Sequence, residues 1–217
     1  SLSDQWIQKK QQSLRLLLPK LNEAFPGQLA VVRPTYLNGG EWFYVQQAGA
    51  TDPETGRPIE WRYADYSSDS ETQFCRWSGM PSQLRGGDCR VPDIRTRLTP
   101  NFGNTLIRGD GGNASRSVYF TRFLAHRVTS AIVALGETIK EASNNHLLTM
   151  VFYGYLFSLD FDPASGHNSM QRLLSSPVVD IFSGPYSYGE SRTLDIGFRP
   201  HGPADAAAAW GKMHIHE

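Results

Sequence analysis

The sequence lacks several features that would assign a protein to a class at once. Its 217 residues include only two cysteines, Cys75 and Cys89, which are too few to form a zinc site alone. They could pair as one disulfide or stay free thiols, because nothing shows the redox compartment. No apolar run approaches the roughly 18 residues of a membrane-spanning helix. These absences leave a folded domain with its own core, which a chain of this length can bury.

A net charge is also missing. Lysine plus arginine and aspartate plus glutamate each number 21, so the formal charge is zero. Without a basic excess, there is no electrostatic basis for a nucleic-acid partner or an anionic membrane surface. The sequence begins without methionine or a signal peptide and stops at Glu217, directly after a strand-like run. We therefore expect a segment of a longer protein, whose localisation and oligomeric state stay open.

What the sequence does contain is an alternation of short apolar runs with helical patterns. Strands are predicted over Leu29–Val32, Leu147–Phe157, Val178–Phe182 and Lys212–Glu217. Helices are predicted from the Ser3 cap to Phe25 with a kink or restart at Pro19, from Ser67 to Trp77, and over 117–142, Met170–Leu174 and Ala204–Trp210. Strands separated by helices are typical of a parallel sheet.

This pattern predicts an α/β fold, and the missing glycine motifs refine it. No strand is followed by a dinucleotide fingerprint or a phosphate-binding loop, so a doubly wound sheet lacks its usual support. The better prediction is a partial (β/α)8 barrel. We expect one domain over 1–217, truncated at both ends, with an irregular insertion near 79–113 where periodicity is lost.

The loops after the predicted strands carry the candidate functional residues. In barrels, ligands bind at the carboxyl ends of the strands. Two carboxylates on different strands, with aromatic rings between them, are what a glycosidase uses to protonate the leaving oxygen and to attack the sugar. Aromatic ring faces also suit the apolar faces of sugars. The candidates are Glu41 and Glu217 for catalysis, and Asn38, Trp42, Tyr153, Tyr155, His167, Tyr186 and Tyr188 for substrate binding.

Each candidate also has a simpler interpretation. Glu41 could be a solvated loop carboxylate, and the tyrosines could be packing residues. His167 could bind a sugar hydroxyl or cap the helix that follows it. His214 and His216 share one face of the last strand, but the sequence identifies no third ligand for a metal. No metal or cofactor is therefore predicted.

Several segments resemble the β-galactosidase-like glycoside hydrolases related to family 42. They are GGEWF, DYS followed by FCRW, VFYGYLF, SGH, RLLSSPVVDIFSGPYSY and KMHIHE, and the resemblance covers most of the chain from about residue 29. It implies strands four to seven of a (β/α)8 barrel, with the other strands supplied by the rest of the protein. It also implies a retaining hydrolase of a β-linked sugar, for example a β-galactoside. Glu41 would be the acid/base and Glu217 the nucleophile.

A second class of function fits the same residues. A barrel that keeps the aromatic platform but lacks the chemistry would bind carbohydrate without cleaving it. Both interpretations predict a carbohydrate ligand and no cofactor. They differ in whether the two carboxylates face one pocket.

Overall fold

The computed structural model describes residues 2–37, 40–42, 44, 65–79, 90–92, 113–156, 166–185 and 202–216. Four of the candidate residues lie outside these ranges: Asn38, Tyr186, Tyr188 and Glu217. Cys89 and most of the insertion predicted near 79–113 lie outside them as well. The statements below concern the described residues.

Four strands of the described chain form one parallel sheet whose order is the order of the sequence. They are β1 (Val31–Val32), β2 (Leu148–Phe152), β3 (Ile181–Gly184) and β4 (Met213–His216). The prediction of an α/β fold with a parallel sheet is thereby confirmed. The second strand is shorter than predicted: it ends at Phe152, and Gly154 follows with a φ of 92° that only glycine adopts readily.

The predicted helices are also present. They are α1 (Asp4–Ala24), α2 (Ser68–Arg76), α3 (Asn113–Ala142), α4 (Met170–Leu174) and α5 (Ala204–Ala209). Ser3 caps α1 by accepting a hydrogen bond from the Trp6 amide at 3.0 Å, and Ser67 caps α2 in the same way. Among the helices described, none has the length and apolar character needed to cross a membrane.

Helix α1 continues through Pro19, so of the kink or restart predicted there, the restart is wrong. Proline removes one helical hydrogen bond and crowds the preceding turn. Packing against α3 compensates for this loss. Gln11 Nε2 donates to the Ala134 carbonyl and to Thr138 Oγ1, both at 3.1 Å, and Leu18 is buried beside Ile139. Tertiary contacts thus outweigh the local preference.

Helices α3, α4 and α5 lie on one face of the sheet. Side chains alternate between faces along a strand, and Val151 and Phe182 are opposite each other in the register. Both belong to the buried cluster that α3 supplies with Phe123 and Leu124, and to which α4 and α5 also contribute. A doubly wound sheet carries helices on both faces, whereas a barrel carries them only on its outer face.

The opposite face of the sheet is largely apolar and open in part. Four of its side chains are partly exposed, Met213 most of all at 55%; the others are Val31, Leu148 and Ile215. Phe152 lies on the same face with the Arg33 guanidinium 4.4 Å from its ring centroid. A parallel sheet with helices on one side and apolar side chains on the other is compatible with a segment of a barrel.

The amino ends of the strands are joined by an ion pair. Lys140 Nζ lies 2.7 Å from Asp180 Oδ2, and it also donates to the Leu147 carbonyl at 2.9 Å. The same Asp180 oxygen accepts a hydrogen bond from the Thr149 amide at 2.7 Å. We call Lys140, Asp180 and the Thr149 amide the amino-end lock. It ties α3 and β2 to the segment that enters β3.

Helix α2 packs on the first half of α3 and carries a disulfide. Phe74 is fully buried, with its ring 5.2 Å from Phe120 and 5.4 Å from Phe123. Cys75, the next residue, is disulfide-bonded. The choice between thiol and disulfide, which the sequence left open, is thus made for Cys75.

Candidate functional site

The loop after β1 carries Glu41 between residues of unusual backbone conformation. Leu37 and Trp42 have φ values of 65° and 62°, and Gly40 has a φ of 80°. Left-handed conformations cost a bulky residue on the order of 1–2 kcal/mol, so they persist only where the surroundings impose them. Glu41, which is partly exposed, therefore sits in a loop whose shape is set by its contacts.

Trp42 anchors this loop from within the core. Its side chain is fully buried, its amide donates to the Tyr36 carbonyl at 3.1 Å, and its indole Nε1 donates to the Pro34 carbonyl at 2.8 Å. The rings of Trp6 and Tyr36 lie beside it, with centroids 6.5 and 6.2 Å away. Trp42 thus joins the loop to α1, and its indole N–H is used inside the protein.

His167 joins the same loop to the end of β2. Its Nδ1 accepts hydrogen bonds from the amides of Gly154 at 3.2 Å and Tyr155 at 3.3 Å. Because Nδ1 accepts, the ring proton is on Nε2, which lies 2.9 Å from the Glu41 carbonyl oxygen and donates to it. We call His167 with its bonds to Glu41, Gly154 and Tyr155 the histidine bridge. It links the carboxyl ends of two strands.

Two tyrosines pack on the imidazole of the bridge. Tyr153 stacks on it at 4.5 Å between centroids, and Tyr155 meets it edge-on at 4.9 Å. The Tyr153 hydroxyl donates to the Gly166 carbonyl at 2.8 Å and accepts from the Ser169 amide at 3.1 Å. Tyr153 therefore fixes both the ring of His167 and the backbone on either side of it.

The bridge is electrically neutral over the usual working range of pH. Burial lowers the pKa of His167 to about 4, and the hydrogen bonds to the backbone of Glu41 and Trp42 oppose this only in part. Burial likewise raises the pKa of Tyr153 above its ordinary value. A protonated His167 would direct an Nδ1 proton at two amide donors. The imidazole therefore cannot exchange protons with a substrate near neutrality.

Gly154 is a residue that the sequence interpretation did not select. With a φ of 92°, it turns the chain so that its own amide and that of Tyr155 both point at His167. A Cβ at this position would lie 2.7 Å from Met170 Sδ, which is closer than real contacts allow. The signal was the glycine between two tyrosines, which marks a sharp bend at a strand end.

The end of β4 lies close to the same place. A Cβ at Gly202 would lie 2.9 Å from the Gly154 carbonyl oxygen and 3.6 Å from His214 Nε2. The His214 and His216 rings are 4.4 Å apart, and burial together with His216 lowers the pKa of His214. Within the described ranges, no group of three or more histidine, cysteine, aspartate or glutamate residues could hold a metal ion.

The structure thus brings five candidates together at one end of the sheet: Glu41, Trp42, Tyr153, Tyr155 and His167. Glu41 is partly exposed, whereas the other four are at least 98% buried and contact protein. Because of these contacts, the four buried side chains pack the core or orient their neighbours. That any of them also touches a sugar stays a prediction.

No family model, no curated protein and no solved structure matches this chain. The resemblance to the β-galactosidase-like hydrolases related to family 42 therefore stays a prediction.

Proposed function

We propose that this chain is part of a (β/α)8-barrel glycoside hydrolase that cleaves a β-linked sugar with retention of configuration. Glu41 serves as acid/base and Glu217 as nucleophile. One observation carries the proposal: the partly exposed Glu41 is held at the carboxyl end of a parallel sheet by the histidine bridge. That end is where barrels and other parallel α/β folds bind ligands.

The layout of the sheet supports a barrel. β1 to β4 follow one another in space as in sequence, and helices α3, α4 and α5 cover one face. In a closed barrel, the open apolar face would be the packed interior, where branched and long apolar side chains form layers. Val31, Leu148, Met213 and Ile215 are such side chains. The four strands then correspond to strands four to seven.

The two glutamates divide the chemistry between them. Glu41, protonated, gives its proton to the glycosidic oxygen while Glu217 attacks the anomeric carbon, so the leaving sugar departs as an alcohol. Glu41, now ionised, takes a proton from water as that water displaces Glu217 from the glycosyl-enzyme intermediate. Glu217 directly follows His216, the last residue of β4. No cofactor takes part.

Substitution of each glutamate in the full-length protein tests this proposal. With aryl and alkyl β-galactosides and β-glucosides as substrates, Glu41→Gln should lower kcat/KM for alkyl leaving groups by about 10²–10⁴-fold. It should affect dinitrophenyl glycosides much less, because that leaving group needs no proton. Glu217→Gln should abolish hydrolysis of both.

Glu137→Gln is the matched control, because Glu137 is an exposed carboxylate on α3. It should leave every rate unchanged. Wild-type rates in both Glu41→Gln and Glu217→Gln would show that the assignment of these residues is wrong.

A carbohydrate-binding barrel without catalysis is the second candidate. It is favoured by the internal use of the polar atoms of Trp42, Tyr153 and His167, because none of these three side chains can then serve as a second catalytic group. Calorimetry on the intact protein separates the two. Sugar binding without turnover of any glycoside supports the binding barrel.

A further inference from the structure

We infer that His167 is the positioning residue for Glu41, because its imidazole fixes the Glu41 backbone relative to the end of β2 and thereby aims the carboxyl group. This inference rests on the proposed function of Glu41. His167 is 2% exposed, and both of its ring nitrogens are engaged with backbone atoms. It therefore acts through Glu41 and not on the substrate.

The bridge has only one chemically consistent arrangement. Two amide donors at the end of β2 require an unprotonated Nδ1, so the single ring proton must be on Nε2. That proton meets the Glu41 carbonyl at 2.9 Å. The backbone at the end of β2 thus determines the tautomer of His167. The Nε2 proton of that tautomer in turn holds the Glu41 peptide in place.

The loop needs such a restraint. Leu37 and Trp42 are bulky residues in left-handed conformations on either side of Glu41. Each of them alone favours another conformation, so removal of a contact between them lets the loop relax. Trp42 holds the far side of the loop through its bonds to Pro34 and Tyr36. His167 holds the peptide of Glu41 itself.

The imidazole is restrained in turn. Tyr153 stacks on the ring and binds the backbone at Gly166 and Ser169, on either side of His167. The Gly154 turn places both amide donors toward Nδ1. Such a supported geometry matters for an acid/base, since a displacement of about 1 Å in a catalytic group can cost 10²-fold in rate.

Two amide variants separate the halves of the bridge. In His167→Asn, the side-chain oxygen can replace Nδ1 as the acceptor at β2, but the shorter side chain does not reach Glu41. In the full-length protein, kcat for alkyl β-glycosides should fall by about 10–100-fold while KM changes less than about twofold. Dinitrophenyl glycosides, which need no acid, should lose less than about threefold. His167→Gln can extend a donor toward Glu41 and should recover part of the alkyl rate.

His126→Asn is the matched control, since His126 is a second neutral histidine, on α3 beside Arg172. It should leave the ratio of the two rates at the wild-type value. Equal losses on both leaving groups in His167→Asn would overturn the inference, because they indicate a general structural defect. An unchanged alkyl rate would overturn it as well.

A readout without activity distinguishes this inference from the proposed function. Nitrogen-15 NMR of the wild-type protein at pH 7 should show His167 protonated on Nε2 only, and His167→Asn should speed hydrogen exchange at the Trp42 amide. Protonation on Nδ1 would disprove the bridge even in an active enzyme. If the wild-type protein hydrolyses no glycoside, the function fails and the acid/base part of the inference falls with it, whatever the tautomer.

Discussion

Polar contacts join neighbouring segments at both ends of the sheet, but one contact is an ion pair and the other is made by neutral groups. At the amino ends, the amino-end lock pairs a full positive charge on Lys140 with a full negative charge on Asp180. At the carboxyl ends, the histidine bridge links two strands through a neutral imidazole. The first ties β2 to the segment that enters β3, and the second ties the loop after β1 to the end of β2. Only the second makes its link without an ionised group.

On the proposed function, this difference has a chemical reason, because Glu41 as acid/base must change its own charge. A fixed charge beside Glu41 would favour one protonation state of the carboxyl group, whereas an acid/base must pass between both. A neutral donor orients the Glu41 backbone without that bias. At the amino ends no such demand exists, and a strong pair can serve stability alone. In barrels the two ends of the strands divide in the same way between function and stability.

The largest expected effect on stability is at the amino-end lock. Asp180→Ala leaves Lys140 without its ion-pair partner and the Thr149 amide without its acceptor. The side chain of Asp180 is only 25% exposed and that of Lys140 only 12%. We expect the free energy of unfolding to fall by about 4 kcal/mol, measured by urea denaturation. Asp180→Asn keeps an acceptor for the amide and should lose less.

The exposed pair between Arg15 and Glu141 is the control for this prediction. Its side chains are 52% and 64% exposed at a separation of 3.2 Å. Arg15→Ala should cost less than about 0.5 kcal/mol. Equal effects of Arg15→Ala and Asp180→Ala would mean that burial does not distinguish the two pairs.

A change of pH should have the next largest effect on the free energy of unfolding, through His167 at the opposite end of the sheet. The pKa of His167 is lowered from 6.5 to about 4, so between these values the unfolded chain binds a proton that the folded protein does not. Stability should therefore fall as the pH drops from 6.5 to 4, by about 3 kcal/mol, with no further change from this group below pH 4. His167→Gln should flatten this slope in urea titrations.

His126 should also make stability fall as the pH drops, so its contribution must be measured separately. Its pKa is also lowered to about 4, by burial and then by Arg172 and Arg127, but its side chain is more exposed to solvent. His126→Asn should remove a smaller part of the slope than His167→Gln. The reverse ranking would contradict the assignment of the pH dependence to the histidine bridge.

The smallest of these effects on stability should come from the Tyr153 hydroxyl, which supports the histidine bridge. Tyr153→Phe keeps the stacked ring but leaves the Gly166 carbonyl and the Ser169 amide without their partner. We expect a loss of about 2 kcal/mol in thermal or urea unfolding. Tyr119→Phe, on α3 beside Arg122, keeps its ring contact and should change stability by less than about 0.5 kcal/mol. A similar cost for both would show that the Tyr153 hydroxyl adds little.

The regular elements could be predicted from the sequence because local signals mark them. Apolar runs gave the strands, and the serine caps and periodic stripes gave the helices. Pro19 shows where local signals fail, since the packing of α1 on α3 carries the helix past it. The short β2 is a second failure of local signals, since the apolar run continues past the turn at Gly154 and does not mark it.

That these candidate residues lie close together could be predicted, but the contacts that each of them makes could not. Strand ends pointed to Glu41, Trp42, Tyr153, Tyr155 and His167, and the structure places them together. The hydrogen bonds of His167, however, join residues 12, 13 and 126 positions apart in the sequence. No spacing rule connects such partners. Burial, which separates a packing tyrosine from a binding one, also depends on the whole fold.

The order of the strands has a consequence for how the chain is made. Because β1, β2, β3 and β4 neighbour one another in the order of the sequence, each new strand can pair with one that the ribosome has already released. Among the four described strands, none has to enter between two earlier ones. Domains begin to fold from their amino-terminal side during synthesis. The described sheet can therefore grow by one strand at a time, each strand adding beside the one before it.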